Sequence, residues 1–167
     1  MWAGQVLLLG ILMFNFYYDV KAEQFLKEAE QLLQQHWEEL ALNKDRVKLN
    51  PDVAKYSMLQ ELGMLHNIVV YNKEDEIVGY SVILAQPHVH YKDSVYASVD
   101  VIYVDPKHRN SSLGARLLLE TEKVAKEKGA HVLIHHAKPY VPMIIKPLEK
   151  LGYSLYEHIY GKYIGEK

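Results

Sequence analysis

Residues 96–129 read YASVDVIYVDPKHRNSSLGARLLLETEKVAKEKG, and the reading of this stretch decides the fold. From Tyr96 to Val104 apolar side chains fall on both parities (Val99, Val101, Ile102, Val104), which predicts a strand covered on both faces. A polar turn follows, and a helix opens at Ser112. Leu117, Leu118, Thr121, Val124 and Ala125 lie on one stripe of it, Lys126 and Lys128 occupy its last turn, and Gly129 fits the position just past its end. The first N–H groups of a helix have no intrahelical acceptor and the dipole is positive there, so the turn is built as an anion site. Neither GxxxxGK[ST] nor GxGxxG occurs in it, which excludes a P-loop and a dinucleotide fingerprint.

Outward from this stretch, His131 to His136 reads as the next strand. Strand, helix and strand in that order imply a right-handed unit with parallel strands. Upstream, Leu65–Tyr71, rich in β-branched residues, and the alternating Ile77–Leu84 flank a turn at Asn72–Asp75, an antiparallel hairpin, and Pro87–Tyr91 is expected to be a connecting loop or bulge. Between Lys21 and Leu42, Phe25, Ala29, Leu32, Leu33, His36, Trp37 and Leu40 recur at helical steps. Asn50-Pro51-Asp52 reads as the start of a short helix that runs to about Leu62, with Gly63 as its stop. Downstream, a short helix from Val141 to Leu151 is expected to break at Pro147, and Tyr156 to Tyr163 is expected to be the last strand.

The apolar run Val6 to Phe14 has nine residues, against the roughly 20 that a membrane helix needs, and it lacks the flanks of a signal peptide. It reads as a first strand behind an apolar leader of residues 1–12, with residues 13–167 as a single domain. At 167 residues, 49% hydrophobic and 24% charged, the composition fits one globular domain. A net charge of −2 gives no electrostatic case for nucleic acid. The absence of cysteine excludes disulfides, thiol nucleophiles and thiolate metal sites, and is compatible with a cytoplasmic protein. The apolar leader and the thirteen tyrosines are compatible with a homodimer.

Three polar features stand out. Asp100 interrupts an apolar strand, where a carboxylate costs several kcal/mol unless it is paired or opens onto a cleft; it is either a general base or a structurally paired acid. His36-Trp37-Glu38-Glu39 either points polar groups at a site or is a packed tryptophan among solvated acids. His88 and His90 share one face of an extended chain, but no third ligand stands at a metal-binding spacing, so a polar loop or a substrate contact fits them better than a metal.

The run Val104-Asp105-Pro106-Lys107-His108-Arg109-Asn110-Ser111-Ser112-Leu113-Gly114 resembles the V-x-P-x-x-R-G-x-G-x-G pattern of the GNAT acetyltransferase superfamily, in which R/Q-x-x-G-x-G/A cradles the pyrophosphate of acetyl-coenzyme A. Val104, Pro106, Arg109 and Gly114 agree with it. Ser112 stands at the first required glycine and Asn110 at the common one before it. Serine is tolerable at that place if its φ stays negative. Leu148-Glu149-Lys150-Leu151-Gly152-Tyr153 is similar to the superfamily's F-Y-E-K-x-G-F element, with Leu148 where a tyrosine is usual. The resemblance covers roughly Met13 to the C-terminus, and the His36, Pro87 and His136 segments also look like a phage-associated branch.

The resemblance implies an α/β (α+β) fold: a mixed, mostly antiparallel twisted sheet with a parallel, splayed pair of central strands, flanked by about four helices. It implies acetyl-CoA as co-substrate, no metal, and a small-molecule or protein amine as acceptor. Backbone groups of Ile102, Tyr103 and Val104 would pair with the pantetheine arm. Arg109, Asn110, Ser111, Ser112, Leu113, Gly114 and Ala115 would hold the pyrophosphate, with Arg116 as a further charge. Asp100 would be the base, with Glu38 in reserve, and His136 or Tyr140 would supply a proton in place of the missing tyrosine. The Ser112 and Leu148 departures keep open a second reading, a non-catalytic module that binds coenzyme A or a protein partner.

Overall fold

A computed structural model describes residues 13–165, and the expected leader of residues 1–12 lies outside them. One sheet runs in chain order: β1 (Asn15–Tyr18), β2 (Leu65–Tyr71), β3 (Ile77–His88), β4 (Tyr91–Val104) and β5 (Ala130–His135). The first four pair antiparallel, and β4 and β5 pair parallel. Five α-helices are found among the described residues: α1 (Ala22–Glu28), α2 (Glu30–Leu40), α3 (Val53–Glu61), α4 (Leu113–Glu127) and α5 (Pro142–Lys150).

The sheet separates two cores. On one face the stripe of α4, with Leu113, Leu117, Val124 and Ala125, packs on Ile68, Val70, Val78 and Ile83. On the other, Phe25, Leu26, Leu32 and Leu33 of α1 and α2 pack on Val69, Tyr80, Val82 and Tyr103. Central strands covered on both sides are buried on both parities, so β2 and the first half of β3 are buried residue after residue rather than in the alternation expected at Ile77–Leu84. Where β3 meets β4, a Cβ on Gly79 would sit 3.2 Å from the Tyr103 carbonyl oxygen, a tight contact that would push the two backbones slightly apart.

Several expectations are corrected. Among the described residues the first strand is Asn15–Tyr18, and most of the expected Val6–Phe14 run lies outside them. The Lys21–Leu42 helix is two helices, broken at Ala29, whose φ of −87° and ψ of 2° leave the α-helical values. The Pro87–Tyr91 segment is mostly strand: β3 runs to His88, β4 starts at Tyr91, and a tight turn at Val89-His90 joins them. α3 begins after Pro51, with the Asp52 carboxylate capping it by accepting from the Lys55 N–H at 3.0 Å. α5 runs through Pro147 without ending there. Residues 153–164 form no strand. Among the described residues the outer edge of β5 carries no strand, and the Tyr156–Tyr163 run does not join it, leaving Tyr156, Ile159 and Tyr160 exposed.

Candidate active site at the open edge of β4

Pairing between β4 and β5 stops at Val99 opposite His135, while β4 continues to Val104. From Asp100 onward the β5-facing edge of β4 has no partner strand, which is the splay the sequence implied. A cleft of about 470 Å³ occupies this place, lined by His36, Glu39 and Leu40 of α2, residues 99–104 of β4, Gly114 and Ala115 of α4, His135 to Lys138, and α5 residues that include Ile144.

Asp100 sits at a β-bulge. Val82 pairs with Val101 and Ile83 with Val99, so Asp100 is the extra residue. It is exposed on the cleft, whereas the sequence placed it inside a strand covered on both faces; Val101, Ile102 and Val104 are likewise only half-buried. The bulge releases the carboxylate from the ladder, and none of its hydrogen-bond or ion-pair partners is found among the described residues. That removes the paired-acid reading of Asp100.

The turn into α4 contains a short 3₁₀ turn at Pro106–His108 before the helix begins. Ser112 caps α4 with φ −75°, so the serine carries no left-handed strain at the place where glycine was expected. Arg109, Ser111, Gly114 and Ala115 face the cleft. Asn110 and Ser112 do not line it, and the Leu113 side chain is wholly buried in the core. The Leu113 N–H donates to the Ser111 hydroxyl at 3.2 Å, whereas those of Gly114 and Ala115 have no intrahelical acceptor. A Cβ on Gly114 would meet no atom within 4 Å, so the space beside this helix end is open to a ligand. Arg116 stacks on Phe16 at 4.7 Å.

Glu39, which sequence reasoning named only within the His36–Glu39 segment and assigned no role of its own, lines the cleft together with His36. Its carboxylate accepts two bonds from the Arg109 guanidinium, at 2.8 and 2.7 Å, and one from the Tyr103 hydroxyl at 2.6 Å. The Arg109 Nε–H donates to the Val104 carbonyl at 2.9 Å, and the guanidinium lies 4.9 Å from the Tyr103 ring centroid. The Arg109 bonds hold the Glu39 carboxyl below its ordinary range, with the Tyr103 hydroxyl helping. Glu38, the reserve base, points to solvent and accepts from Gln34. Along α2, residues 36 and 39 stand three apart on one face while residue 38 turns away, a spacing that could have singled out Glu39.

His36 stacks on Tyr103 with ring centroids 4.4 Å apart, and its Nδ1 lies 2.7 Å from the Tyr80 hydroxyl. Burial, with Lys138 adding to it, lowers its pKa to about 4. His136 is exposed on the cleft, its Nε2 2.9 Å from the Ser98 hydroxyl. His135 is buried enough to bring its pKa down to about 4, and neither ring nitrogen has a hydrogen-bond partner among the described residues. The Lys138 ammonium donates to the Leu40 carbonyl and so ties the loop after β5 to the end of α2. Leu148 is buried in the core, and Tyr140 is exposed and does not line the cleft. His88 and His90 lie at the β3–β4 turn with ring centroids 5.9 Å apart, away from the cleft. No group of three or more metal-ligating side chains converges among the described residues, and no helix among them is long and apolar enough to cross a membrane.

Comparison with known proteins places this geometry. The family model described as acetyltransferase (GNAT) family matches residues 26–153. A glucosamine 6-phosphate N-acetyltransferase of Trypanosoma brucei brucei is 23% identical over 101 residues, 60% of this chain and 66% of that relative, so the match spans just under two thirds of the relative's length. Two solved structures share the fold at low identity. An aminoglycoside acetyltransferase from an uncultured soil metagenomic sample, in complex with sisomicin, has a TM-score of 0.71 at 15% identity, covering 93% of this chain and 97% of its own. Glucosamine-6-phosphate N-acetyltransferase from Arabidopsis thaliana has a TM-score of 0.70 at 14% identity, covering 91% and 99%. The family match covers well over half of the chain and spans β2 to β5, the parallel strand pair and the turn into α4: the chain belongs to the acetyltransferase (GNAT) family.

Proposed function

We propose that this protein transfers an acetyl group from acetyl-CoA to a primary amine. The observation that carries the reading is the free edge of β4 from Asp100 to Val104, which leads directly to the unpaired N–H groups at the start of α4. An extended pantetheine arm is matched by an unpaired strand edge, and a diphosphate by a helix N-terminus. Residues Ile102, Tyr103 and Val104 offer backbone to the first. The 109–115 turn offers N–H groups to the second, chiefly those of Gly114 and Ala115.

In this reading Asp100 takes the proton from the attacking amine, directly or through water. An alkylammonium with a pKa near about 10.4 is not nucleophilic until it loses that proton. The nitrogen bonds to the thioester carbon and sheds its second proton to solvent, the carbon–sulfur bond breaks, and the sulfur leaves as a thiolate. A strand N–H near Ile102 polarises the carbonyl. His136, on the cleft and hydrogen-bonded to Ser98, is the group assigned to return a proton to the thiolate, since Leu148 offers none.

Calorimetric titration with acetyl-CoA is the first test, and no heat of binding would defeat the reading. An array of amines (amino sugars, polyamines, amino acids and peptides) assayed with labelled acetyl-CoA then identifies the acceptor. Binding without turnover across such an array would favour the non-catalytic module instead.

A further inference from the structure

We infer that His36 is a specificity-determining residue that presents a fixed Nε2–H donor to the cleft and selects acceptors with an oxygen beside the amine. The inference rests on the acetyl-transfer reading of the cleft. It starts from a satisfaction argument about Tyr80, whose ring and hydroxyl are 0% exposed. Among the described residues the hydroxyl has one hydrogen-bond partner, the Nδ1 of His36 at 2.7 Å. If Nδ1 carried the proton and donated to the tyrosine oxygen, the buried O–H would have nowhere to donate. Leaving it so is disfavoured by roughly tenfold to a hundredfold. Tyr80 therefore donates to Nδ1, and the neutral imidazole carries its hydrogen on Nε2.

Three contacts fix where that hydrogen points. The imidazole is stacked on Tyr103 with planes 12° apart, Tyr103 is anchored through its hydroxyl to Glu39, and Glu39 is held by Arg109. His36 lines the cleft, and its Nε2 has no partner among the described residues. The ring is flanked by Glu39 on its own helix, Tyr80 on β3, Tyr103 on β4, Arg109 in the turn before α4 and Lys138 after β5. Tyr56, on α3, also acts electrostatically on Tyr80. The carboxylate is matched by Arg109, and burial together with Lys138 keeps the imidazole neutral, so with Tyr80 donating to Nδ1 its single hydrogen stays on Nε2. Asp100 is placed to handle the amine; a neutral N–H on the α2 wall matches a hydroxyl or carbonyl oxygen next to that amine.

Long-range proton–nitrogen NMR on the intact, ¹⁵N-labelled protein tests the donor directly. The expected result is a protonated, pyrrole-type Nε2 and an unprotonated Nδ1 at pH 7. In Tyr80→Phe the His36 titration should move upward, because the bond that favours the neutral ring is gone. A protonated Nδ1 in the wild type overturns the proposal whatever the activity. The use of the donor is tested with the best amine from the acceptor array and its analogue carrying CH₂ in place of the nearest oxygen. A preference of about tenfold or more in kcat/KM is expected, collapsing to within about twofold in the packing-matched double variant His36→Phe/Tyr80→Phe. An equal kcat/KM for the pair in the wild type overturns the selection. Failure to find any acceptor defeats the acetyl-transfer reading, while the tautomer measurement still decides the assignment of His36.

Discussion

Replacing Glu39 by alanine should destabilise the protein by about 2–3 kcal/mol, well beyond a surface ion pair. The figure follows from what the carboxylate holds. It accepts two guanidinium bonds at 2.8 and 2.7 Å and the Tyr103 hydroxyl at 2.6 Å. The Arg109 side chain is 19% exposed and that of Glu39 34%, so the pair lies between exposed pairs, worth about 0.2–1 kcal/mol, and buried ones, whose disruption costs about 3–5 kcal/mol. The Tyr103 hydroxyl adds about 1 kcal/mol, because the residue is only 4% exposed and its proton loses its acceptor. Glu39→Gln keeps an oxygen for Tyr103 and should lose only about half as much. For a domain of this size the alanine variant should melt about 5–10 °C lower. Denaturant unfolding at pH 7 measures both variants. The sign with pH is fixed: the folded carboxyl titrates below its ordinary value of 4.5, so its contribution is whole above that value and is lost as the pH falls through the lower, folded-state value. A loss under about 0.5 kcal/mol for alanine, or equal losses for alanine and glutamine, would refute the reasoning.

Three further outcomes are expected. His36 and His135 both titrate at about 4 in the folded chain against an ordinary 6.5, so the unfolded chain binds their protons first and stability should decline as the pH falls from 6.5 toward 4, by at most about 3 kcal/mol for each; denaturant midpoints across that range check it. His135→Phe should remove about half of that decline and leave stability at pH 7 unchanged or slightly higher, because no hydrogen bond among the described residues is lost. Asp100→Asn should leave the unfolding midpoint within about 0.5 kcal/mol of wild type, as befits an exposed carboxylate at a bulge, yet lower kcat by about 10²-fold or more; full activity would remove the base assignment. Gly114→Ala should stabilise α4 by up to about 1 kcal/mol, because the new Cβ meets no atom, and weaken acetyl-CoA binding by calorimetry about tenfold or more, because that empty space borders the anion end of the cleft.

Local physics made the framework legible. The periods of β2, β3 and α4 are strong because each element buries a full face, and glycines at φ +66°, +80° and +90° (Gly63, Gly129 and Gly152) end α3, α4 and α5 where turn chemistry requires them. The turn into α4 was legible because it is contiguous in sequence. What escaped depends on pairing across the chain. The bulge that exposes Asp100 is a mismatch of register between β3 and β4, and no pattern within β4 alone encodes it. The Glu39–Arg109 pair joins residues 70 positions apart. The expected strand at Tyr156–Tyr163 failed because no local period supports it: Tyr156, Ile159, Tyr160 and Tyr163 stand three, one and three residues apart rather than alternating, and the run joins no ladder.

The cleft itself arises from unequal strands. β4 has 14 residues and pairs with β3 along nearly its full length, whereas β5 has only 6 and leaves β4 at Val99. An edge left unpaired in this way exposes backbone N–H and C=O groups that a buried position would forbid, so something must cover them, whether water or an extended ligand. The bulge sits one residue past the point of separation and turns a carboxylate out at the mouth of the gap, while the far end of the same edge runs into the helix that supplies unpaired N–H groups. A strand that stops short, a bulge and a helix start, all within residues 99–115, thus bring a carboxylate, an unpaired strand edge and a helix N-terminus to one cleft. The opposite wall has no such local origin. It is assembled from α2, the loop after β5 and α5, tied across the cleft by Lys138 and Leu40, and it rests on tertiary contacts such as that of His36 with Tyr80 rather than on any motif.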